Sequence, residues 1–194
     1  NIKIIRNLID DSIFNYQYNP KNDNLIFMGN LFYPPNRFGL YYFYKKIWPQ
    51  VKKELGHIEF IVIGKGGKEY FQKYSDLNIQ GFMQNPYEKI IEQCIFISPA
   101  NFGAGVPTKT LTAMAMAMPV ISTKNNALGI DGVVDEQNII LIDYNNPVKA
   151  SEKIIKTIKD KAHRIAIGKN GKDLIYKNYK QSKNEKVLKS FLLQ

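Results

Sequence analysis

The sequence predicts an α/β domain, a doubly wound parallel sheet with helices on both faces. Three observations carry this. Short apolar runs, among them LIFM at 25–28, FIVI at 60–63, IFI at 95–97 and IILI at 139–142, are separated by enough chain for a helix between each pair. Several of the intervening segments hold apolar residues at helical spacing. Glycines at 29, 64, 81 and 103 follow the strand-like runs. Strands alternating with helices give a parallel sheet, whose ligands lie beyond the carboxyl ends of the strands, so these four turns are expected along one edge.

The stretch IFISPANFGAGVPTKTLTAMAMAMPVIST, from Ile95 to Thr123, is the densest in signals. Ile95 to Ile97 read as a buried strand ended by Pro99. Gly103 and Gly105 carry no Cβ, so the backbone can turn sharply and come close to a ligand. Pro107 stands where the first residue of a helix belongs, and its missing N–H costs nothing there. Leu111, Met114, Ala115 and Met118 recur at helical spacing, Pro119 is expected to stop the helix, and Val120 and Ile121 begin the next strand. Such a turn leaves amide N–H groups unpaired at a helix N-terminus, where the peptide dipoles favour an anion, and Lys109 adds a full charge. Phosphate is the expected guest. The same residues also suit a plain tight crossover with Lys109 in solvent.

Taken in order, residues 1–24, with many Asn and with Pro20 and Lys21, read as an irregular connector, and the folded domain begins near Leu25. After Gly29 and Asn30 a helix is expected from about Asn36 to Leu55. Its Phe38, Tyr41, Tyr42, Tyr44, Ile47, Trp48 and Val51 form a broad apolar face, assigned to the core. GKGG at 64–67 is a strand-to-helix turn but not a P-loop, since no lysine followed by serine or threonine stands at the required spacing. A helix around Lys68 to Tyr74 precedes LNIQGF at 77–82 and a short helix in PYEKIIEQ. Phe82 reads as a buried aromatic closing a strand end, or as a ring free to stack on a base. Pro147 opens a helix through Ile154, Ile155 and Ile158, residues 166–180 continue helical, and Val187 to Leu193 form a last apolar helix.

At 194 residues and 44% hydrophobic, the chain can bury one sizeable core. No apolar run is long enough to span a membrane, and no basic-then-apolar leader opens the sequence. The first residue is Asn rather than Met, which reads as a piece of a longer polypeptide. Cys94 is the lone cysteine, so no intrachain disulfide forms, and a reducing cytoplasm fits. The formal charge of +10 implies an anionic partner, and much of the excess lies between Lys149 and Lys189, on helices whose lysines make a solvated face. His57 and His163 have no metal-ligand spacing with cysteines or acids, and no serine or cysteine triad is evident.

FGAGVPTK, a helix of small residues and PVIST together resemble the donor-binding segment of family 4 glycosyltransferases, the glycosyl transferases group 1, which have the GT-B fold. Lys109, Leu111, Ala113, Met114, Ala115, Pro119 and Val120 match that pattern, and Thr112 and Met118 depart from it. At the position of Thr112 the family has a glutamate that binds the ribose, and Ala104 holds the place of a second acid. MGNLFYPPN resembles the first loop of the family's C-terminal half, IQGF its base-reading turn, and NLID at 7–10 the junction between halves.

The resemblance implies a Rossmann-like nucleotide-sugar domain over 25–194 with basic C-terminal helices, and a connector over 1–24 from a missing N-terminal acceptor half. Lys109 would be catalytic, stabilising the departing diphosphate. Gly29, Asn30, Arg37, Gly103, Ala104, Gly105, Val106, Thr108 and Thr112 would hold the donor, Gly81 and Phe82 the base, and Asn125 and Asn126 would lie near its sugar. The implied reaction moves a glycosyl group from a nucleoside diphosphate sugar to a glycan or lipid-linked acceptor, with no metal and no nucleic acid. The protein would be cytoplasmic, with the basic C-terminal helices able to meet the anionic inner face of a membrane. Rival readings are a non-catalytic GT-B partner subunit, for which the absent acids speak, and a sugar-nucleotide epimerase.

Overall fold

The computed structural model describes residues 7–103, 105–182, 185 and 189. Six strands form one sheet: β1 (Leu25–Met28), β2 (Phe60–Ile63), β3 (Leu77–Gly81), β4 (Ile95–Ser98), β5 (Val120–Thr123) and β6 (Ile140–Ile142). Their order is β3-β2-β1-β4-β5-β6 and every pairing is parallel. The chain builds outward from β1 to β3, then returns to place β4 on the other side of β1. The topology therefore reverses between β1 and β4, and a crevice opens there beyond the strand ends.

Side chains alternate across each strand, so each strand feeds two cores. Leu25, Phe27, Phe60, Val62, Ile95 and Ile97 pack under α1 (Pro34–Lys46), α2 (Trp48–Glu54) and α7 (Pro147–Lys159). Ile26, Ile61, Ile63, Phe96 and Val120 face the layer of α4 (Tyr87–Ile91), α5 (Thr108–Ala115) and α8 (Lys161–Asn178). Two short helices, α3 (Gly67–Phe71) and α6 (Lys124–Ala127), complete the connections. Cys94 is fully buried, as expected of a small core residue.

Three expectations need correction. The helix anticipated over 36–55 is two helices, because Pro49 has no N–H to continue the ladder of α1, and α2 restarts with that proline in its first turn. Phe38 and Tyr41 are not core residues, being 52% and 45% exposed, since Leu40 and Phe43 take the inward face. The helix after the glycine turn ends at Ala115, not at Pro119: Met118 N–H bonds to Ala113 O and Ala117 N–H to Met114 O, with Ala117 left-handed at φ 62°. That is the Schellman geometry in which glycine usually occupies the turning residue.

Residues 7–24 hold one 3-10 helix (Asp11–Asn15) and lie against the domain. Ile9 and Ile13 enter the second core, Ile9 N–H bonds to Tyr179 O at 2.8 Å, and Lys172 Nζ donates to Phe14 O at 2.7 Å. The segment from Val187 to Leu193 lies outside the described residues except Lys189.

Candidate functional site: a cleft at the reversal of the sheet

A cleft of about 360 Å³ opens where the topology reverses, lined by the loop after β1, the first turn of α1, the glycine turn after β4, the start of α5 and the head of α6. The turn departs from β4 through Pro99 and Ala100. Gly103 and Gly105 sit at φ 121° and 93°, backbone values that disfavour any residue with a Cβ. The chain then enters α5 through Pro107, which is extended and offers no side-chain cap, so the helix starts at Thr108. The N–H groups of Thr108 and Lys109 have no intrahelical acceptor by the geometry of a first turn.

Side chains below the turn hold it in place. Ser98 and Thr110 share a buried hydroxyl hydrogen bond at 2.7 Å, which ties the end of β4 to the start of α5. Asn126 Nδ2 donates to Ser98 Oγ at 2.8 Å and to Ser122 Oγ at 2.9 Å, and Thr123 Oγ1 donates to Ala100 O. Asn125 Nδ2 reaches Asn101 O at 3.1 Å. On the opposite wall α1 passes so close to the end of β4 that a Cβ on Gly39 would fall 2.4 Å from Pro99 O. Tyr144 fixes this contact: its buried hydroxyl donates to Pro99 O at 2.7 Å and lies 3.2 Å from Gly39 O, and burial pushes its phenol up.

Lys109 is the cation of the cleft. Its Nζ donates to Asn36 Oδ1 and stands 5.0 Å from the centre of the Phe27 ring. Burial pushes its ammonium down to about 8, and no neighbouring acid offsets the shift. Asn36 is itself held, because its Nδ2 donates to Asn30 O at 2.9 Å. The lining includes neither Asp nor Glu, so the cleft offers one positive charge, amide groups and hydroxyls. That set suits an anion with several oxygen acceptors.

Of the residues singled out in the sequence, Gly29, Asn30, Gly103, Gly105, Val106, Thr108, Lys109, Asn125 and Asn126 line this one cleft. Ala104 lies outside the described residues. Arg37 is not in the lining: its guanidinium lies 4.4 Å from the ring centre of Tyr70 and 5.1 Å from that of Phe38. Thr112 is not in the lining either, and its hydroxyl donates to Thr108 O at 2.9 Å. Gly81 and Phe82 stand at the end of the outer strand β3, away from Lys109. Phe82 is 67% exposed, which corrects the reading of a buried ring, and Lys65 Nζ lies 5.2 Å from its centre.

The cleft also contains Asn36, Tyr33, Pro35 and Phe102, which the sequence reading did not single out. A larger hollow of about 730 Å³ between α2 and α7 is an open trough of alternating acids and lysines, including the exposed Glu54–Lys159 pair at 2.8 Å. It gathers no set of donors on one point.

The domain is thus a doubly wound α/β sheet with a glycine turn, a helix start and a lysine without a carboxylate partner at its reversal point. The glycosyl transferases group 1 description matches residues 22–160, and the chain belongs to that family. It is 32% identical over 173 residues to an uncharacterized 44.6 kDa protein in the cps region of Klebsiella pneumoniae, covering 84% of this chain and 44% of that protein. It is 31% identical over 131 residues to an uncharacterized glycosyltransferase of Methanocaldococcus jannaschii, covering 67% and 32%. The chain thus spans less than half the length of both relatives.

Solved structures show the same fold. Anabaena HepE in complex with UDP and glucose superposes with a TM-score of 0.80 at 14% identity, over 99% of this chain and 56% of that one. The C-terminal domain of the group 1 glycosyl transferase LpcC from Francisella tularensis gives 0.68 at 21% identity, over 89% of this chain and 99% of that domain. The Rossmann-like GT-B architecture expected from the sequence is the observed one.

Proposed function

We propose that this chain is the donor-binding half of a glycosyltransferase that moves a sugar from a nucleoside diphosphate sugar to a glycan or lipid-linked acceptor. The observation that carries this reading is Lys109, a partly buried ammonium at a helix start, next to a glycine turn and without a carboxylate partner. A diphosphate supplies the charge that this site lacks. As the anomeric C–O bond breaks, the bonding electrons go to the β-phosphate oxygen. The Lys109 ammonium and the amides of Gly105, Val106 and Thr108 stabilise that charge, each tenfold in rate requiring about 1.4 kcal/mol.

Gly29, Asn30 and Gly103 shape the diphosphate cradle, Asn125 and Asn126 form the wall beside the donor sugar with their amide N–H groups bonded to Asn101, Ser98 and Ser122, and Gly81 and Phe82 lie on the same sheet edge for the base. The UDP held by the fold relative HepE supports a pyrimidine nucleotide as the first ligand to try. We infer no role for a divalent ion, because Lys109 supplies the cation opposite the diphosphate. The groups that hold the acceptor belong to the rest of a longer protein, so this half alone is expected to bind donor without transferring it.

Isothermal calorimetry against UDP, GDP and their sugars at one ionic strength tests the reading. Saturable binding to one nucleotide is expected, weakened at least about tenfold in Lys109→Ala with the fold intact by circular dichroism, since a charge-assisted hydrogen bond contributes about 1.5–3 kcal/mol. A second reading, a non-catalytic GT-B subunit, draws on Thr112, whose hydroxyl is engaged by its own helix rather than turned to a ligand. Absence of binding to every nucleotide would favour it.

A further inference from the structure

We propose that Lys109 is a self-acylation site: an acyl phosphate seats its phosphate in the cleft and transfers its acyl group to the Lys109 amine, which removes the cation of the cleft. Lys109 is half-buried in the cleft wall. Among the described residues of the lining it is the only charged side chain, and Tyr33 is the other titratable one.

The surroundings prepare the amine as a nucleophile. Its bond to Asn36 Oδ1 uses one N–H, and because that oxygen is neutral it does not hold a second proton on the nitrogen as a carboxylate would. The lone pair of the neutral amine is then free for an electrophile. The neighbouring loop is bare at Gly29, where a Cβ would fall 3.4 Å from Lys109 Nζ and crowd it. Burial supplies the neutral form: near pH 8 about half of these amines lack the extra proton, against about one in three hundred for a lysine at 10.5.

The anion seat shares the cleft with this amine. The turn carrying Gly103 and Gly105 and the first residues of α5, with their unpaired N–H groups, line the same 360 Å³. Acyl donors whose leaving group is a phosphate match that seat, because the cleft then holds the group that departs and stabilises the charge it gains. The Lys109 nitrogen attacks the acyl carbon and forms the amide N–C bond. The C–O bond to phosphate breaks, its electron pair leaves on the phosphate oxygen, and the surplus amine proton goes to the departing phosphate. Lys172 makes the contrast, since burial pushes its ammonium down too, yet it donates to Phe14 O at 2.7 Å and lies outside this cleft.

Incubation of the chain with acetyl phosphate at pH 8, followed by peptide mass mapping, tests this. The gain in neutral amine is about a hundredfold, part of which a less basic nitrogen gives back as a weaker nucleophile, as thiols do. Lys109 is therefore expected to be acetylated at least about tenfold faster than the exposed Lys169 and Lys177 of α8, and faster than Lys172. Saturating inorganic phosphate should protect Lys109 and leave the α8 lysines unchanged. Asn36→Asp, which places a carboxylate to hold the proton on the amine, should slow Lys109 at least about tenfold, with the α8 rates as the reference within each sample. Acetylation of Lys109 no faster than that of Lys169 overturns the proposal. So does a Lys109 rate that phosphate leaves unchanged, which would mean a reactive amine without an anion seat. The modification needs a seat for phosphate and not for a nucleotide, so protection by phosphate but not by UDP would uphold it and overturn the donor reading instead.

Discussion

Lys109 Nζ donates to the side-chain oxygen of Asn36, 73 positions earlier in the chain, and that amide is its hydrogen-bonding partner across the cleft. A neutral acceptor orients the ammonium but leaves its charge uncompensated, and burial alone pushes it down to about 8. The group therefore responds strongly to an arriving anion.

Near pH 8 about half of the empty sites hold a neutral Lys109, and a bound diphosphate favours the charged form, so binding takes up a proton. Calorimetry with UDP at that pH, in buffers of high and low ionisation enthalpy, should show uptake of a sizeable fraction of a proton in the parent chain and less in Lys109→Met. The folded amine titrates below its unfolded value, so the unfolded chain binds more protons between about 8 and 10.5, and this group raises stability as pH climbs through that window. The parent chain should gain on Lys109→Met over that range in urea titrations, and parallel curves would remove the shift.

Asn36→Asp puts a carboxylate where the neutral amide now accepts. Lys109 should titrate nearer to its usual value, while the diphosphate loses an uncompensated cation and meets a like charge. UDP affinity is expected to drop at least about tenfold, in line with the 1–3 unit effects of an adjacent opposite charge. Unchanged affinity would place the nucleotide elsewhere.

The β4–α5–β5 unit was legible because local chemistry specifies it: an apolar run, two glycines at left-handed backbone, a proline before the helix and a second apolar run. The partner of Lys109 was not legible, since Asn36 reaches it only through the pairing of β1 with β4. Nor could periodicity choose an inward face in a segment such as FGLYYFYKK, where apolar residues fall on every side. Packing resolves it, with Leu40 and Phe43 buried and Phe38 and Tyr41 left outside. The left-handed Ala117 carries no glycine signal, so the sequence alone places the helix end too late.

Thr112→Glu tests whether the second turn of α5 faces a nucleotide. Thr108 lines the cleft one turn earlier on the same helix face, and the Thr112 hydroxyl folds back on its carbonyl. A glutamate is long enough to leave the helix surface and accept from ribose hydroxyls as an ionised group. Affinity for UDP is expected to rise about tenfold, corresponding to one charge-assisted hydrogen bond of about 1.5 kcal/mol. Weaker binding would count against this orientation of the helix.

Ala117→Gly addresses the strained exit from α5. Ala117 adopts φ 62° because the Schellman bonds from Met118 and Ala117 close the helix there, and α8 presses on it so tightly that a Cβ on Gly168 would fall 2.1 Å from Ala117 O. An alanine in this region costs about 1–2 kcal/mol, part of which glycine returns through its greater freedom in the unfolded chain. The net gain is expected to be about 0.5–1 kcal/mol, or a rise in Tm of about 1–4 °C for a domain of this size. Nucleotide affinity should not move, because the substitution lies at the far end of α5 from Lys109. A fall in Tm would mean that the methyl group contributes more to the packing between α5 and α8 than the backbone strain costs.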